Sequence, residues 1–234
     1  MSSKIIPAIA LFQEIAVKTL QQLSNAAKIK IYEKGAYLPM EDCIFYIIYG
    51  DVKLFKDTTG GEEIVVDLLS NKHFFGEQAL FEESLESYNA QAITNLRLIA
   101  WPANLFQRLI YEDNHLAVNF LKDKILKQGS LELELEHVST QNVEQRLGCL
   151  LLKLCSLQDI TKNEAVLTLP YDRVLIAKRL NMRPETLTRT LHKLCENGHI
   201  KVSGNSLHVK SIDTLIDQTC HDCSQTFPCK KIRS

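Results

Sequence analysis

The sequence has no long apolar run, no secretion-type N-terminus and no residue grouping typical of a catalytic centre. Its 234 residues include no stretch of about 18 apolar residues, the length that a membrane-spanning helix requires. The first segment lacks the basic start and continuous apolar core of a signal peptide. Ser–His–Asp, His-Glu-x-x-His and phosphate-loop patterns are also missing. We therefore expect a cytoplasmic protein that is not an enzyme.

Cysteine is absent from the start of the chain and concentrated at its end. None of the seven cysteines precedes Cys43, and Cys220, Cys223 and Cys229 follow one another closely. An odd number of cysteines in a cytoplasmic chain favours thiols or metal ligands over a disulfide framework. The remaining cysteines fall on apolar faces, where we expect small core residues: Cys43, Cys149, Cys155 and Cys195.

The net charge of −1 conceals an uneven distribution of charged residues. Residues 1–140 contain 13 Lys and Arg against 19 Asp and Glu, whereas residues 168–211 contain 8 against 3. A polyanion would therefore favour the second region and avoid the first.

The pattern of apolar residues divides the chain into four segments. Helical spacing predicts a helix over residues 4–27. Short strand-like runs separated by turns then fill residues 28–102, with a hairpin at 58–61, and predict a small barrel or roll. Residues 103–138 return to a helical pattern. We place a domain boundary there, giving domains at 1–138 and 139–212 and a cysteine-containing tail at 213–234.

The helical segment 103–138 carries a heptad-like row of apolar residues. The row also includes Lys124 and Gln128, and its apolar members are Leu121, Leu131, Leu135 and Val138. Two alternatives remain open, a short coiled-coil dimer and a helix that packs on its own barrel. Residues 139–142 follow with capping side chains, which predict a hinge and a new helix near Val143.

Residues 172–198 are typical of a helix-turn-helix motif. Asn181 suits the left-handed conformation of the turn, and Pro184 suits the first turn of the second helix. Burial of Leu187, Leu191 and Leu194 would leave polar side chains able to contact bases or phosphates: Arg183, Glu185, Thr186, Thr188, Arg189 and His192. Two strands around residues 204–205 then predict a wing, where Lys201 could contact phosphates.

These motifs together resemble the Crp/Fnr family of transcription regulators over nearly the whole chain. The resemblance depends on "EEIVVDLLSNKHFFGEQALFEE", the helix after "IAWP", "VEQRLGCLLLKL" and "PETLTRTL". It implies an α+β chain with an N-terminal cyclic-nucleotide-binding-like β-roll (jelly-roll), a dimerisation helix and a C-terminal winged helix-turn-helix. It also implies a homodimer that works with RNA polymerase and reads TTGA-like half-sites through Glu185, Thr188 and Arg189.

The resemblance also locates an effector pocket, in which one expected residue is missing. Gly76 and Glu77 match the family, but "ESYNAQ" stands where members that bind cyclic nucleotides carry an Arg. Without a bidentate Arg, a buried phosphodiester would have no charged partner, so cAMP is not expected. The candidate pocket residues are Gly76, Glu77, Gln78, Ser87, Tyr88, Asn89 and Leu131.

The tail cysteines are the preferred candidate for the sensor of a redox or gas signal. Cys220, Cys223 and Cys229 could hold an iron–sulfur cluster or another metal, with His137 as a candidate fourth ligand. Some family members resemble this chain in carrying a cysteine triplet at the C-terminus. The alternatives are a structural zinc site, free thiols or a thiol–disulfide switch in the tail. Haem bound through His73, or another small molecule in the roll, is the remaining option.

Overall fold

The computed structural model describes residues 5–40, 42–61, 63–80, 88–156, 163–168, 172–204 and 206–219. The chain forms two compact units, Met1–Gln128 and Gly129–Ser234, which are treated separately below. Because the division falls within a continuous helix, the proposed domain boundary near residue 139 stays a prediction. Among the described helices, none has both the length and the apolar character needed to cross a bilayer.

In the described residues of the first unit, two short 3₁₀ turns, Ile6–Ala8 and Ala10–Phe12, precede helix α1 at Val17–Ala26. The prediction of one helix over residues 4–27 was therefore wrong. Glu14 has a φ of 61°, a left-handed conformation that a continuous helix cannot contain. The separate turns allow Ile9 and Phe12 to be buried independently in the core.

Two antiparallel four-stranded sheets form the roll, with orders β1-β8-β3-β6 and β2-β7-β4-β5. The predicted hairpin at residues 58–61 is confirmed, because Asp57 pairs with Glu63 across it. The strands are β1 Lys28–Tyr32, β2 Tyr37–Leu38, β3 Cys43–Tyr49, β4 Val52–Asp57, β5 Glu63–Leu69, β6 Phe74–Phe75, β7 Asn89–Ala92 and β8 Leu96–Pro102.

Aromatic residues fill the core on one side of the roll. Phe12, Phe74 and Phe106 surround Trp101, and its ring lies at a centroid distance of 5.6 Å from that of Phe12. The buried Trp101 Nε1 donates a hydrogen bond of 2.9 Å to the Leu23 carbonyl oxygen. This bond satisfies the indole donor and fixes α1 on the sheet, because an unpaired buried N–H would cost about 1–3 kcal/mol.

The predicted helical region 103–138 forms two helices, α2 at Ala103–Glu112 and α3 at Asn114–Thr140. Asp113 separates them and acts as the N-terminal cap of α3. Its Oδ1 accepts hydrogen bonds from the backbone N–H groups of His115 and Leu116, and its Oδ2 accepts one from Ala16. These bonds satisfy donors that a helix start otherwise leaves unpaired.

The second unit packs short helices on a three-stranded sheet with the order β10-β11-β9. One apolar cluster, which includes Leu151, Leu187 and Leu207, forms its core. The elements after α3 are α4 Val143–Ser156, β9 Ala165–Thr168, α5 Arg173–Arg179, α6 Pro184–Glu196, β10 Ile200–Ser203, β11 Ser206–Val209 and α7 Ile212–Thr219.

The turn between α5 and α6 has the predicted chemistry. Asn181 has a φ of 49°, and the Met182 N–H donates to the Ala177 carbonyl at 2.9 Å. Thr190 lies in the buried stripe of α6, where an apolar residue would be usual. Its hydroxyl donates to the Thr186 carbonyl at 2.8 Å, so its burial leaves no unpaired donor.

Of the cysteines predicted to be core residues, only Cys155 is fully buried. Burial raises the pKa of its thiol to about 11, which makes it a poor nucleophile. Cys43, Cys149 and Cys195 are half-buried at the margins of the apolar clusters. The prediction of core cysteines was therefore only partly right.

Candidate functional site

The exposed surface of α6 carries the polar residues that the sequence singled out. Because Leu187, Leu191 and Leu194 point into the core, the other faces of the helix are left for contacts. Thr186 and Thr188 are half-buried at the edge of this surface. The exposed members are Arg183, Glu185, Arg189 and His192.

Internal ion pairs distinguish the basic side chains around α6. Lys193 is bonded to Glu144 of α4, and Arg179 is bonded to Glu134 of α3. Within the part of the chain that the structure describes, neither Arg183 nor Arg189 has such a partner. The two exposed arginines are therefore available to an external anion, whereas Lys193 and Arg179 are already neutralised.

The two-stranded wing predicted after α6 has a third strand, β9, which the sequence analysis missed. Lys201, His208 and Val166 lie side by side across the three strands and face away from the core. His208 Nε2 lies 3.4 Å from Glu164 Oε2. Lys201 is exposed in this row, so the sheet presents a basic side chain at its surface.

Two features hold the junction between α3 and α4: the helix cap at Asn142 and the carboxylate of Glu134, which is called the carboxylate clamp below. Asn142 Oδ1 accepts hydrogen bonds from the N–H groups of Glu144 and Gln145, and the Gln145 side chain accepts one from the Asn142 N–H. This is a reciprocal cap, and it confirms the helix start predicted near Val143.

The carboxylate clamp is Glu134 of α3, which accepts hydrogen bonds from Lys153 of α4 and Arg179 of α5. Burial alone would raise the pKa of Glu134, but the charges of Arg179 and Lys153 outweigh burial and lower it. One carboxylate therefore connects three helices of the second unit.

Gly76 of the roll is a position that no other residue could occupy without strain. Its φ is 90°, and a Cβ atom there would lie 2.5 Å from the Cys43 carbonyl oxygen. The Gly76 N–H donates to the Tyr88 hydroxyl at 3.2 Å. Burial, and next the charge of Glu77, raise the pKa of Tyr88, so its phenol stays protonated.

Glu77 forms an ion cluster with two lysines of α3. Its Oε1 lies 3.0 Å from Lys124 Nζ and 3.3 Å from Lys127 Nζ. Burial would raise the pKa of Glu77, but these two ammonium groups outweigh burial and lower it. Lys124, which lies on the predicted heptad row, therefore contacts the roll of its own chain, and the dimer seam stays a prediction.

Exposed apolar side chains nevertheless remain on α3. Since Lys124 and Lys127 turn toward the roll, the solvent-facing side of the helix carries Val118, Leu121, Ile125, Leu131 and Leu135, each at least 40% exposed. A row of exposed apolar side chains is typical of a surface that binds a partner, because leaving it in contact with water is unfavourable.

The remaining candidate pocket residues are only partly gathered around Glu77. Gln78 Nε2 contacts the Tyr88 carbonyl at 3.5 Å. Asn89, in contrast, donates to Asp57 at 3.2 Å on the exposed surface. Leu131 belongs to the second unit, and Ser87 lies outside the described residues.

Sequence reasoning missed an acidic side chain inside the roll. Asp67 pairs in register with Leu54, a core residue, and is only 9% exposed. Its charge acts on Tyr88, so it lies near the Glu77 cluster. The buried register of β5 was the signal that could have identified it, since a strand residue opposite an inward Leu also points inward.

The candidate metal ligands of the tail, Cys220, Cys223 and Cys229, lie outside the described residues. His137 is half-buried, and its Nε2 is shielded from solvent without a hydrogen-bond partner. Across residues 5–219, leaving aside the undescribed gaps, no group of three or more His, Cys, Asp and Glu could hold a metal ion. His73 Nδ1 contacts the carbonyl oxygens of Ser70 and Asn71 in its own turn.

Two family profiles match the chain. That of the cyclic nucleotide-binding domain matches residues 30–113, and that of the Crp-like helix-turn-helix domain matches residues 145–217. Together they span about two thirds of the sequence, and each coincides with one of the regions described above.

Similar proteins span most of the chain. The Cyclic AMP receptor protein of Thermus thermophilus is 25% identical over 88% of this chain and 94% of its own length. The Global nitrogen regulator of Nostoc sp. is 26% identical over 75% and 80%, respectively. The structure of FixK2 from Bradyrhizobium japonicum has a TM-score of 0.74 at 17% identity, over 84% of this chain and 99% of that one; this likeness concerns the fold alone.

Proposed function

We propose that this chain, which belongs to the Crp/Fnr family of transcription regulators, binds a pseudo-palindromic DNA site as a homodimer and changes its DNA affinity in response to a small signal. The observation that carries the proposal is the exposed start of α6. There Glu185 and Arg189 are exposed, and Arg189 has no ion-pair partner among the described residues. This exposure supports the role of α6 as a recognition helix that would enter the major groove.

The chemistry of these residues supports base reading at each half-site. Arg189 can donate two hydrogen bonds to O6 and N7 of one guanine, and Glu185 can accept one from a cytosine amino group. Thr188 directs its hydroxyl to the Pro184 carbonyl at 3.1 Å, which leaves its methyl group for contact with a thymine. TTGA-like half-sites about one helical turn apart fit this combination. Thr186, His192, Arg183 and Lys201 would contact neighbouring bases or phosphates.

Dimerisation is proposed through the exposed apolar row of α3. Val118, Leu121 and Ile125 recur at intervals of three and four residues, the spacing of a coiled-coil seam. A second copy would bury them. The same dimer would present two recognition helices to one palindrome, and we propose the cytoplasm as its location and RNA polymerase as a further partner.

The signal is proposed to be a ligand other than cAMP. Glu77 of the roll forms one cluster with Lys124 and Lys127 of α3, and "ESYNAQ" has no Arg for a cyclic phosphate. A clear rise in melting temperature with millimolar cAMP or cGMP would contradict this, because a ligand at a hundred times its Kd stabilises by about 2.7 kcal/mol.

A second candidate signal is redox chemistry at the tail. Cys220, Cys223 and Cys229 have the spacing of metal-binding thiolates, and His137 Nε2 is buried without a partner, as a ligating imidazole nitrogen would be. An iron–sulfur cluster held there would supply a change of charge on oxidation or reduction. A structural zinc ion or free thiols are the alternatives for the tail, and haem at His73 has less support because that ring contacts its own turn.

The visible spectrum and metal content of protein purified without oxygen distinguish these options. Iron and sulfide with a brown colour would support the cluster, and zinc without colour would support a structural site. A colourless, metal-free protein would remove the tail from the metal hypothesis.

The test of DNA reading compares Arg189→Ala with Lys201→Ala on a palindromic duplex. Loss of Arg189 is expected to cost about 1–3 kcal/mol and to abolish discrimination at one base pair. Loss of Lys201 is expected to weaken all sequences alike and to reduce the salt dependence. Unchanged affinity and unchanged sequence preference in Arg189→Ala would show that α6 does not read DNA.

A further inference from the structure

The Glu77 cluster has paired charges but unpaired hydrogen-bond acceptors. Glu77 Oε1 is bonded to Lys124 and Lys127. The second carboxylate oxygen, Glu77 Oε2, and the neighbouring Gln78 Oε1 are shielded from solvent and have no hydrogen-bond partner of normal geometry among the described residues. Besides the two lysines, the Tyr88 hydroxyl interacts with the Glu77 carboxylate. A buried acceptor without a donor costs about 1–3 kcal/mol, and more when it is charged. The site therefore favours a partner that brings N–H or O–H groups.

The charges around these acceptors already balance. Glu77 and Asp123, whose Oδ2 lies 3.3 Å from Lys124 Nζ, carry two negative charges, and Lys124 and Lys127 carry two positive charges. A ligand with a net charge would leave one charge uncompensated in a partly buried site, which is costly. A ligand with equal positive and negative charges would preserve the balance.

We propose that the roll binds a small zwitterion of the amino-acid type, with its ammonium group at Glu77 Oε2 and Gln78 Oε1 and its carboxylate at Lys124 Nζ and Lys127 Nζ. The inference rests on the proposed function only in taking this cluster as the effector site. It assigns the anion-binding role to two lysines of α3 in place of the Arg that the roll lacks.

Binding of such a ligand exchanges ion pairs without losing any. The ligand carboxylate takes over donors of the lysines, each of which has three N–H groups, while the ligand ammonium compensates Glu77. The Lys124, Lys127 and Glu77 side chains are each about a quarter exposed, at 23%, 24% and 26%. Their flexible stems can therefore move to admit a ligand from solvent.

The same exchange would act on α3. Lys124 and Lys127 lie three residues apart on one face of that helix, and both are bonded to Glu77 of the roll. A ligand placed between them and Glu77 would replace direct contacts with bridged ones. The position of α3 against the roll of its own chain would then depend on the ligand, which is the property that an effector site requires.

Three other occupants make different demands on the cluster. Ordered water could satisfy the two acceptors, but it would not depend on the lysines. A cyclic phosphodiester would add one negative charge, and a dicarboxylate would add two. These possibilities are separated by the net charge of the probes that bind.

The experiment is calorimetric titration and thermal melting of the full chain with each standard amino acid at millimolar concentration. The comparison probes are the N-acetyl derivative and the carboxamide of each amino acid, succinate and cAMP. We expect at least one free amino acid to bind and to raise the melting temperature, and both of its blocked derivatives to lose this effect. Absence of binding by every amino acid, equal binding by a blocked derivative, or binding confined to succinate or cAMP would overturn the proposal.

Variants locate the site. Glu77→Gln and Lys127→Met are each expected to weaken binding of the amino acid at least about tenfold, because charge-assisted hydrogen bonds are lost. Lys122→Met, an exposed lysine of the same helix, is the matched control and should bind normally. Unchanged binding in a folded Lys127→Met protein would refute the assignment. Because these measurements contain no DNA, their failure is distinct from a failure of the operator-binding test.

Discussion

Glu134 offers the sharpest test of how the second unit is held together. It accepts hydrogen bonds from Lys153 and Arg179, so that one carboxylate joins α3, α4 and α5. Replacement by Gln keeps the size and one oxygen acceptor but removes the charge. Lys153 and Arg179 would then lose the negative charge that Glu134 supplies to both of them. We expect the Glu134→Gln protein to be destabilised.

The size of the effect follows from the exposure of the three side chains. A hydrogen bond to a charged group contributes about 1.5–3 kcal/mol, whereas a solvent-exposed ion pair contributes about 0.2–1 kcal/mol. Glu134 is 26% exposed and Arg179 is 18% exposed, but Lys153 is 39% exposed, so its bond counts for less. We therefore expect a loss of about 1–3 kcal/mol in the free energy of unfolding at neutral pH.

The pH dependence gives an independent check with a definite sign. The pKa of Glu134 is lowered in the folded protein from its ordinary value of 4.5. Its stabilisation is therefore fully present above pH 4.5 and is lost as the pH falls through the folded pKa. The difference between the native protein and Glu134→Gln should be constant near neutral pH and should narrow in acid below about pH 4.5.

Urea denaturation followed by far-ultraviolet circular dichroism measures both quantities. Glu136→Gln is the matched control, because Glu136 is exposed on the same helix and its replacement should change the stability by no more than about 0.5 kcal/mol. If Glu134→Gln and Glu136→Gln have the same stability at pH 7, or if the difference does not narrow in acid, the clamp does not stabilise this unit.

Two further substitutions test local geometry. Gly76→Ala should destabilise the roll by about 1–3 kcal/mol more than Gly35→Ala in thermal melting. Both glycines have a φ of 90°, but of these two positions only Gly76 would place a Cβ atom 2.5 Å from a carbonyl oxygen. Equal destabilisation by the two substitutions would show that this steric clash does not occur. Asn142→Ala should lower the free energy of unfolding by about 1 kcal/mol, because the helix cap of α4 is removed. The control Asn114→Ala, which changes an exposed residue in the first turn of α3, should lower it very little. A decrease below about 0.3 kcal/mol for Asn142→Ala would contradict the capping assignment.

The helix-turn-helix motif could be predicted because its information is local. Asn181 in the left-handed turn, Pro184 at the first turn of α6 and the Leu187–Leu191–Leu194 stripe are all set by neighbours within a few residues. The same holds for the hairpin at residues 58–61 and the Asn142 cap. The prediction of a helix over residues 4–27 was wrong for the opposite reason. Burial of Ile9 and Phe12 at separate places in the core decides the backbone conformation there, in spite of the local helical spacing.

The contacts of the Glu77 cluster could not be predicted, because they join distant parts of the sequence. Glu77 and Lys124 are 47 residues apart, and in the sequence of the helix alone Lys124 is one polar member of a heptad row. Only the register of α3 against the roll decides that Lys124 faces Glu77 and that Ile125 faces solvent. Asp67 likewise looks like a polar strand residue until the register with Leu54 places it inside.

The number of Lys and Arg residues overestimates the positive charge that the second unit can offer to DNA. Residues 168–211 contain more Lys and Arg than Asp and Glu. Part of that excess is nevertheless used internally, since Arg179 compensates Glu134 and Lys193 compensates Glu144. These partners come from segments outside the basic region, so no window of sequence reveals them. What distinguishes Arg189 is therefore its position: it is exposed on the outer face of α6, with no carboxylate among the described residues to neutralise it.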